Sequence, residues 1–286
     1  MSDRTLRLDL PPLHDWPRPL AFALSGGGAF GSVHVGMVQA LAEHGVRPDL
    51  VVGTSVGSLN GALLAHEPDD AGEQLAAIWT EMSRATVFGH GWIRAMRNFA
   101  RRRTLSGFDQ LASLIDSMLP VEHFDELALP FAAVATDAVS GEPELLRDGL
   151  IKPALLASSA IPRVFPPVTV DGRQYIDGGI SANLPIRQAI AFGARSVVAL
   201  DAAPQVPPQA PTGLATGAFH LATLMVRNQR AHAVDDLASR YPILVLPSVT
   251  PHDIGSFNFD RTAELIAASR RASARTLSSV SATASI

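Results

Sequence analysis

Leu50-Val51-Val52-Gly53-Thr54-Ser55-Val56-Gly57-Ser58-Leu59-Asn60-Gly61-Ala62-Leu63-Leu64-Ala65 runs from an apolar strand-like segment into a helix-like one through the pattern G-x-S-x-G. At a strand-to-helix junction this pattern has a steric meaning. The chain reverses so tightly that the serine takes a strained conformation, and glycines two residues to either side leave room for the neighbouring backbone. Ser55 would then present its hydroxyl at the C-terminal edge of a sheet, with a helix N-terminus behind it. The five letters alone leave a second use open, a serine that caps the following helix. The strand before and the helix after are the context that a nucleophile requires, and they favour that use.

Working outward, Leu20-Ala21-Phe22-Ala23-Leu24 reads as a first short strand after a polar, proline-rich start. Residues 31–44 read as a helix ending near Gly45, and helices follow at about 56–66, 71–84, 92–102 and 107–118. Phe131–Thr136 is a buried-type strand, and Val168–Val170 and Arg173–Ile176 flank Asp171-Gly172, a hairpin signal. A helix at 184–192, the strand Ser196–Leu200, a helix near 214–239 and the strand Ile243–Leu246 complete the alternation. Strands alternating with helices imply an α/β fold, a three-layer sandwich around a central, mostly parallel sheet. The segment after Arg271, rich in Ala, Ser and Thr, is either a helix end or disorder.

Composition narrows the function classes. The 286 residues are 47% hydrophobic and 17% charged, with a formal charge of −4, which gives no reason to expect a nucleic-acid partner. The absence of cysteine removes disulfides, thiolate metal sites and cysteine nucleophiles together. Met1-Ser2-Asp3-Arg4-Thr5 carries no apolar signal core, and no long apolar run lacks a charge or a breaker. The expectation is a cytoplasmic protein whose membrane contact, if present, is peripheral and on the inner face.

The first strand runs directly into Gly26-Gly27-Gly28-Ala29-Phe30-Gly31, which satisfies G-x-G-x-x-G. A dinucleotide site would need an acidic residue at the C-terminal end of the second strand. That strand instead ends in Gly53-Thr54-Ser55, and Asp49 stands at its opposite end, so this reading falls away. Three glycines can also expose backbone N–H groups at a helix start toward a developing oxyanion, or can simply make a tight turn.

A serine nucleophile needs a base. His34, His44 and His66 fall on helix patterns, and His90 and His123 lie in polar surroundings; His220, His232 and His252 come late enough for a Ser…Asp…His order. Asp177 is more distinctive, because it ends the strand after the hairpin and is followed by Gly178-Gly179. A carboxylate with an ordinary pKa of about 3.9 is a weak base, and it works on a hydroxyl only when desolvated and aimed. Taken singly, Asp177 reads better as a turn aspartate stabilising its own loop.

Together these segments resemble the patatin-like phospholipase family, and its bacterial branch in particular. The agreement includes the glycine loop, Gly53-Thr54-Ser55-Val56-Gly57, Val134-Ala135-Thr136-Asp137, Ala157-Ser158-Ser159-Ala160-Ile161-Pro162, Val164-Phe165-Pro166-Pro167-Val168 and Asp177-Gly178-Gly179-Ile180-Ser181-Ala182-Asn183-Leu184-Pro185. It covers about residues 20–202. The resemblance implies a serine–aspartate dyad without histidine, with Ser55 as nucleophile and Asp177 as base. It also implies an oxyanion hole from Gly26, Gly27 and Gly28 with the N–H of Ala29. The implied reaction is hydrolysis of lipid or other acyl esters through an acyl-enzyme, with no metal and no cofactor. One departure stands out: the family usually carries Arg or Lys before the last glycine of its loop, and here that residue is Phe30. This weakens the inference to phospholipid while leaving ester hydrolysis intact.

The expected organisation is an extension over residues 1–19, a catalytic domain over 20–271 with a helical insertion at about 85–120, and a tail over 272–286. Within the insertion, Trp92, Ile93, Ala95, Met96, Phe99 and Ala100 share one helical face, and Arg94, Arg97, Asn98, Arg101 and Arg102 the other. Such a helix lies in a membrane interface, covers the ester site as a lid, or simply covers the core with its charges in water. Two further function classes stay open beside hydrolysis: an acyltransferase using the same dyad, and a non-catalytic membrane-binding regulator.

Overall fold

The computed structural model describes residues 11–82, 105–206, 213–251 and 258–282. The arginine-faced helix expected at 92–102 lies outside them, and with it Trp92, Ile93, Arg94, Met96, Arg97, Phe99 and Arg101.

Four short apolar runs form the centre of the sheet: β1 (Leu20–Leu24), β2 (Leu50–Thr54), β3 (Phe131–Asp137) and β7 (Ser196–Leu200), all buried along their whole length. Near-continuous apolar strands are what a parallel sheet covered on both faces requires. β1 pairs in parallel with β2 and β7, β2 with β3, and β7 with β8 (Ile243–Leu246). With β5 (Val168–Val170) and β6 (Arg173–Asp177) at one edge, the eight-stranded sheet runs β5-β6-β3-β2-β1-β7-β8, and β4 (Pro143–Leu146) is antiparallel on β3. The hairpin of β5 and β6 turns through Asp171 and Gly172, both at positive φ, and β6 joins β3 antiparallel.

Side chains alternate between faces as the pleat dictates. Leu20, Phe22 and Leu24 enter one apolar cluster, while Ala21 and Ala23 enter another. The first layer is built from α1 (Ser32–Glu43), α2 (Val56–His66), α3 (Ala71–Glu81), α4 (Leu105–Met118), α5 (Ile151–Ser158) and α9 (Thr262–Ala282). The second holds the short α6 (Gly179–Ala182), α7 (Ile186–Ala191) and α8 (Leu214–Leu237). The expected three-layer α/β architecture is therefore observed.

Several details differ from the sequence reading. β4 and α5 have no counterpart in it. β4 is short, only half-buried and starts at Pro143. α5 carries Pro153 in its first turn, where a missing N–H costs the helix nothing. The segment after Arg271 is helical to Ala282, and Ala272, Ser273 and Leu277 are buried. The proline-rich start is tied down as well, with Leu13 and Trp16 in the core. Asp49 has a structural use that explains its position: its carboxylate accepts from the Leu20 N–H (2.6 Å) and from Arg18 (2.9 Å). It thus joins the N-terminal ends of β1 and β2, opposite the edge where the glycine loop emerges. Among the described residues, no helix is long and apolar enough to cross a membrane.

Candidate active site

The reversal after β2 has the strained form its sequence demands. Ser55 stands at φ 54°, ψ −126°, between the last strand residue and the first residue of α2. A non-glycine residue held there costs on the order of 1–3 kcal/mol and persists only where its surroundings over-determine it. The neighbours supply that constraint. The Ser55 N–H donates to Ser158 Oγ (2.9 Å), whose own hydroxyl donates to the Val134 carbonyl (2.6 Å). Ser58 Oγ and N–H both donate to the Ser55 carbonyl. Both flanking glycines are required by close approach: a Cβ on Gly53 would lie 2.2 Å from the Gly57 carbonyl oxygen, and one on Gly57 would lie 2.4 Å from that of Leu24.

Asp177, the last residue of β6, meets the serine directly. Ser55 Oγ donates to Asp177 Oδ2 at 2.7 Å, and the Gly179 N–H donates to Oδ1 at 2.7 Å. Burial pushes this carboxyl up to about 6, against the pull of those two hydrogen bonds. Asp137 on the adjacent strand goes the other way. The N–H groups of Ser140 and Val139, and then Arg173, hold it down at about 2. Two neighbouring carboxyls are thus separated into a fixed anion and a group that exchanges its proton near neutrality.

Among the described residues, no histidine hydrogen-bonds to Ser55 or Asp177; His252 lies outside them. His34 is wholly buried, and burial pushes it down to about 3, so it is neutral. Its Nε2 faces the Leu200 carbonyl (3.1 Å) and its Nδ1 faces Asn60 Nδ2 (3.2 Å), which assigns the proton to Nε2. Asn60 completes the network by donating to the Gly31 carbonyl (3.0 Å) and accepting from Trp79 Nε1 (3.0 Å). No sequence pattern pointed to this network, because its members lie on three different helices and at the end of a strand.

The glycine loop leads from β1 into a short 3-10 turn, Gly28–Gly31, and then into α1. Among the described residues, nothing accepts from the N–H groups of Gly27, Gly28 and Ala29. Gly26 departs from its expected part as a donor. Its N–H is already taken by the Asn183 carbonyl at 3.0 Å. Its lack of a side chain matters instead, since a Cβ there would meet Asn183 Oδ1 at 2.6 Å and Ser55 Cβ at 3.3 Å. Phe30 is fully buried in the core.

Ser55, Gly28 and Ala29 open onto one narrow cavity, whose other walls are mainly apolar and include Leu59, Trp79, Leu111, Met118 and Phe165. The sequence marks Ala157–Pro162 as a block but does not single out Ser158, whose hydroxyl holds the Ser55 N–H. Among the described residues, no group of three or more His, Asp or Glu is placed to hold a metal ion.

Residues 22–190 match the sequence model of the patatin-like phospholipase family. The chain belongs to that family. It is 30% identical over 188 residues to "Lysophospholipase NTE1" of Mycosarcoma maydis, a match covering 64% of this chain and 10% of that protein. It is 30% identical over 190 residues to an uncharacterized NTE family protein of Mycobacterium bovis, covering 63% of this chain and 48% of that one. The chain therefore spans a tenth to a half of the length of these relatives. Among solved structures, VipD from Legionella pneumophila superposes with a TM-score of 0.51 at 16% identity, covering 93% of this chain and 67% of that one. This likeness concerns the fold.

Proposed function

We propose that this patatin-like domain is a serine hydrolase of lipid acyl esters that works through a Ser55–Asp177 dyad. The observation that carries the reading is the 2.7 Å hydrogen bond from Ser55 Oγ to a buried carboxylate, made at a positive-φ elbow. The apolar cavity over Ser55 suits an acyl chain. Lysophospholipids are the first substrates to try, because a relative of this chain is a lysophospholipase.

In the first half-reaction Ser55 Oγ attacks the ester carbonyl while its proton passes to Asp177 Oδ2. The displaced π pair settles on the carbonyl oxygen, which the N–H groups of Gly27, Gly28 and Ala29 stabilise at the start of a helix. Collapse expels the alkoxide, which takes the proton back from Asp177 and leaves an acyl-Ser55. Water then gives its proton to Asp177 and attacks the acyl group; the second collapse returns that proton to Ser55 and releases the fatty acid. Asp137, held down by the Ser140 and Val139 N–H groups and then by Arg173, is the weaker base of the two, which supports Asp177 in that role.

The test is hydrolysis of lysophospholipids and p-nitrophenyl esters, together with fluorophosphonate labelling. Ser55→Ala is expected to abolish both hydrolysis and labelling in a folded protein; labelling retained in that variant would sink the reading.

The dyad also fixes a pH dependence. Only the ionised carboxyl accepts the serine proton, so kcat/KM should be level above pH 6 and fall about tenfold per pH unit below it. A rate still level at pH 4.5 would show that no group of this character serves as the base.

A further inference from the structure

One polar group in the cavity wall is unaccounted for by the dyad and its oxyanion donors. Ser159 is 6% exposed, and its hydroxyl is fully buried with no hydrogen-bond partner among the described residues. Buried hydroxyls normally find a partner, and an orphan calls for a reason. Ser159 lines the same cavity as Ser55, Gly28 and Ala29.

The backbone around Ser159 fixes where in that cavity it stands. The preceding residue holds the nucleophile, through Ser158 Oγ and the Ser55 N–H. The following residue holds the base, through the Ala160 carbonyl and the Asp177 N–H at 2.9 Å, and Gly178 N–H donates to the Ser158 carbonyl. Ser159 therefore sits between the residues that hold Ser55 and Asp177, in a cavity wall that is otherwise mainly apolar and includes Leu59, Leu111 and Met118. The Ser159 N–H and carbonyl are used within the chain, by Leu155 and Ile161, so the hydroxyl is the group left for an occupant.

We propose that Ser159 is a substrate-contacting residue whose hydroxyl hydrogen-bonds the ester group of the bound substrate. This inference rests on the dyad reading above. A hydroxyl kept unpaired in the folded protein and paired only when an ester is bound trades stability for function, and that trade gives the test its sign.

Ser159→Ala, wild type and Ser55→Ala are compared for hydrolysis of p-nitrophenyl butyrate, octanoate and laurate, and for thermal unfolding. The expected result is a fall in kcat/KM of about tenfold or more in Ser159→Ala, equal for the three acyl lengths, with Tm unchanged or raised by a few degrees. Unaltered kcat/KM overturns the proposal. So does a loss of activity accompanied by a lower Tm, which would mark a structural hydroxyl. A loss that grows with acyl length also overturns it, because Ser159 would then line the chain and not the ester. If wild type hydrolyses no faster than Ser55→Ala, it is the dyad reading that fails, and the Ser159 assignment falls with it.

Discussion

Replacing Asp177 by Asn is expected to slow ester hydrolysis by at least about 10³-fold while making the protein harder to unfold at pH 8. The loss of rate follows from the base: an amide beside Ser55 Oγ holds the geometry but takes no proton. The gain in stability follows from burial. In the unfolded chain this carboxyl ionises near its ordinary value of 3.8, whereas in the folded protein it holds its proton up to about 6. Between those values the unfolded state alone becomes charged, so native stability declines as pH rises. Above about 6 the penalty is complete, at roughly 3 kcal/mol. Asn escapes it. Urea melts at pH 8 should therefore place the variant above wild type, and melts at pH 4 should bring the two together. A variant less stable than wild type at pH 8 would show that the buried carboxylate is not the destabilising group described here.

The second large effect concerns the loop position where the family usually carries a cation. Phe30→Lys is expected to lower stability by at least about 4 kcal/mol, and so to lower Tm by roughly 10 °C or more. Phe30 is wholly buried, two residues beyond Gly28 in the 3-10 turn, and it packs into the main apolar cluster. A lysine there removes a large apolar side chain and places an unpaired ammonium in the core. Because the same turn carries the Gly28 and Ala29 N–H groups, fluorophosphonate labelling of Ser55 should slow as well. Phe30→Leu, which keeps the anchor apolar, should retain most of both. If Phe30→Lys melts with wild type, the loop is not anchored through this side chain.

Much of the architecture could be read from the chain because its central strands are short, apolar and preceded within three residues by glycine or proline. That local signature is what a doubly covered parallel sheet writes into sequence. Ser55 and its two glycines were legible for the same reason, since the steric demand acts within five residues. Asp177 was visible only as a strand end before two glycines; the resemblance joined it to Ser55, and the fold brings the pair to 2.7 Å. Ser158 was not legible as a partner, because its bond to the Ser55 N–H spans 103 residues and leaves no periodic trace. The same holds for His34, Asn60 and Trp79, whose polarity is consumed in contacts between helices. Gly26 shows the opposite failing. Its motif reads as a donor, yet the packing of Asn183 turns it into a spacer.

The turn that ends α5 has a consequence for tuning. Ser55 and Asp177 arrive on strands that belong to different parts of the sheet, and no direct ladder joins β2 to β6. The turn grips one by the Ser158 hydroxyl and the other by the Ala160 carbonyl, so it works as a caliper set to the width of a proton transfer. Opening that caliper by a few tenths of an ångström would weaken the reaction without touching any reacting atom. Substitutions that shift α5 against α4 are therefore expected to slow or quicken the proposed hydrolysis.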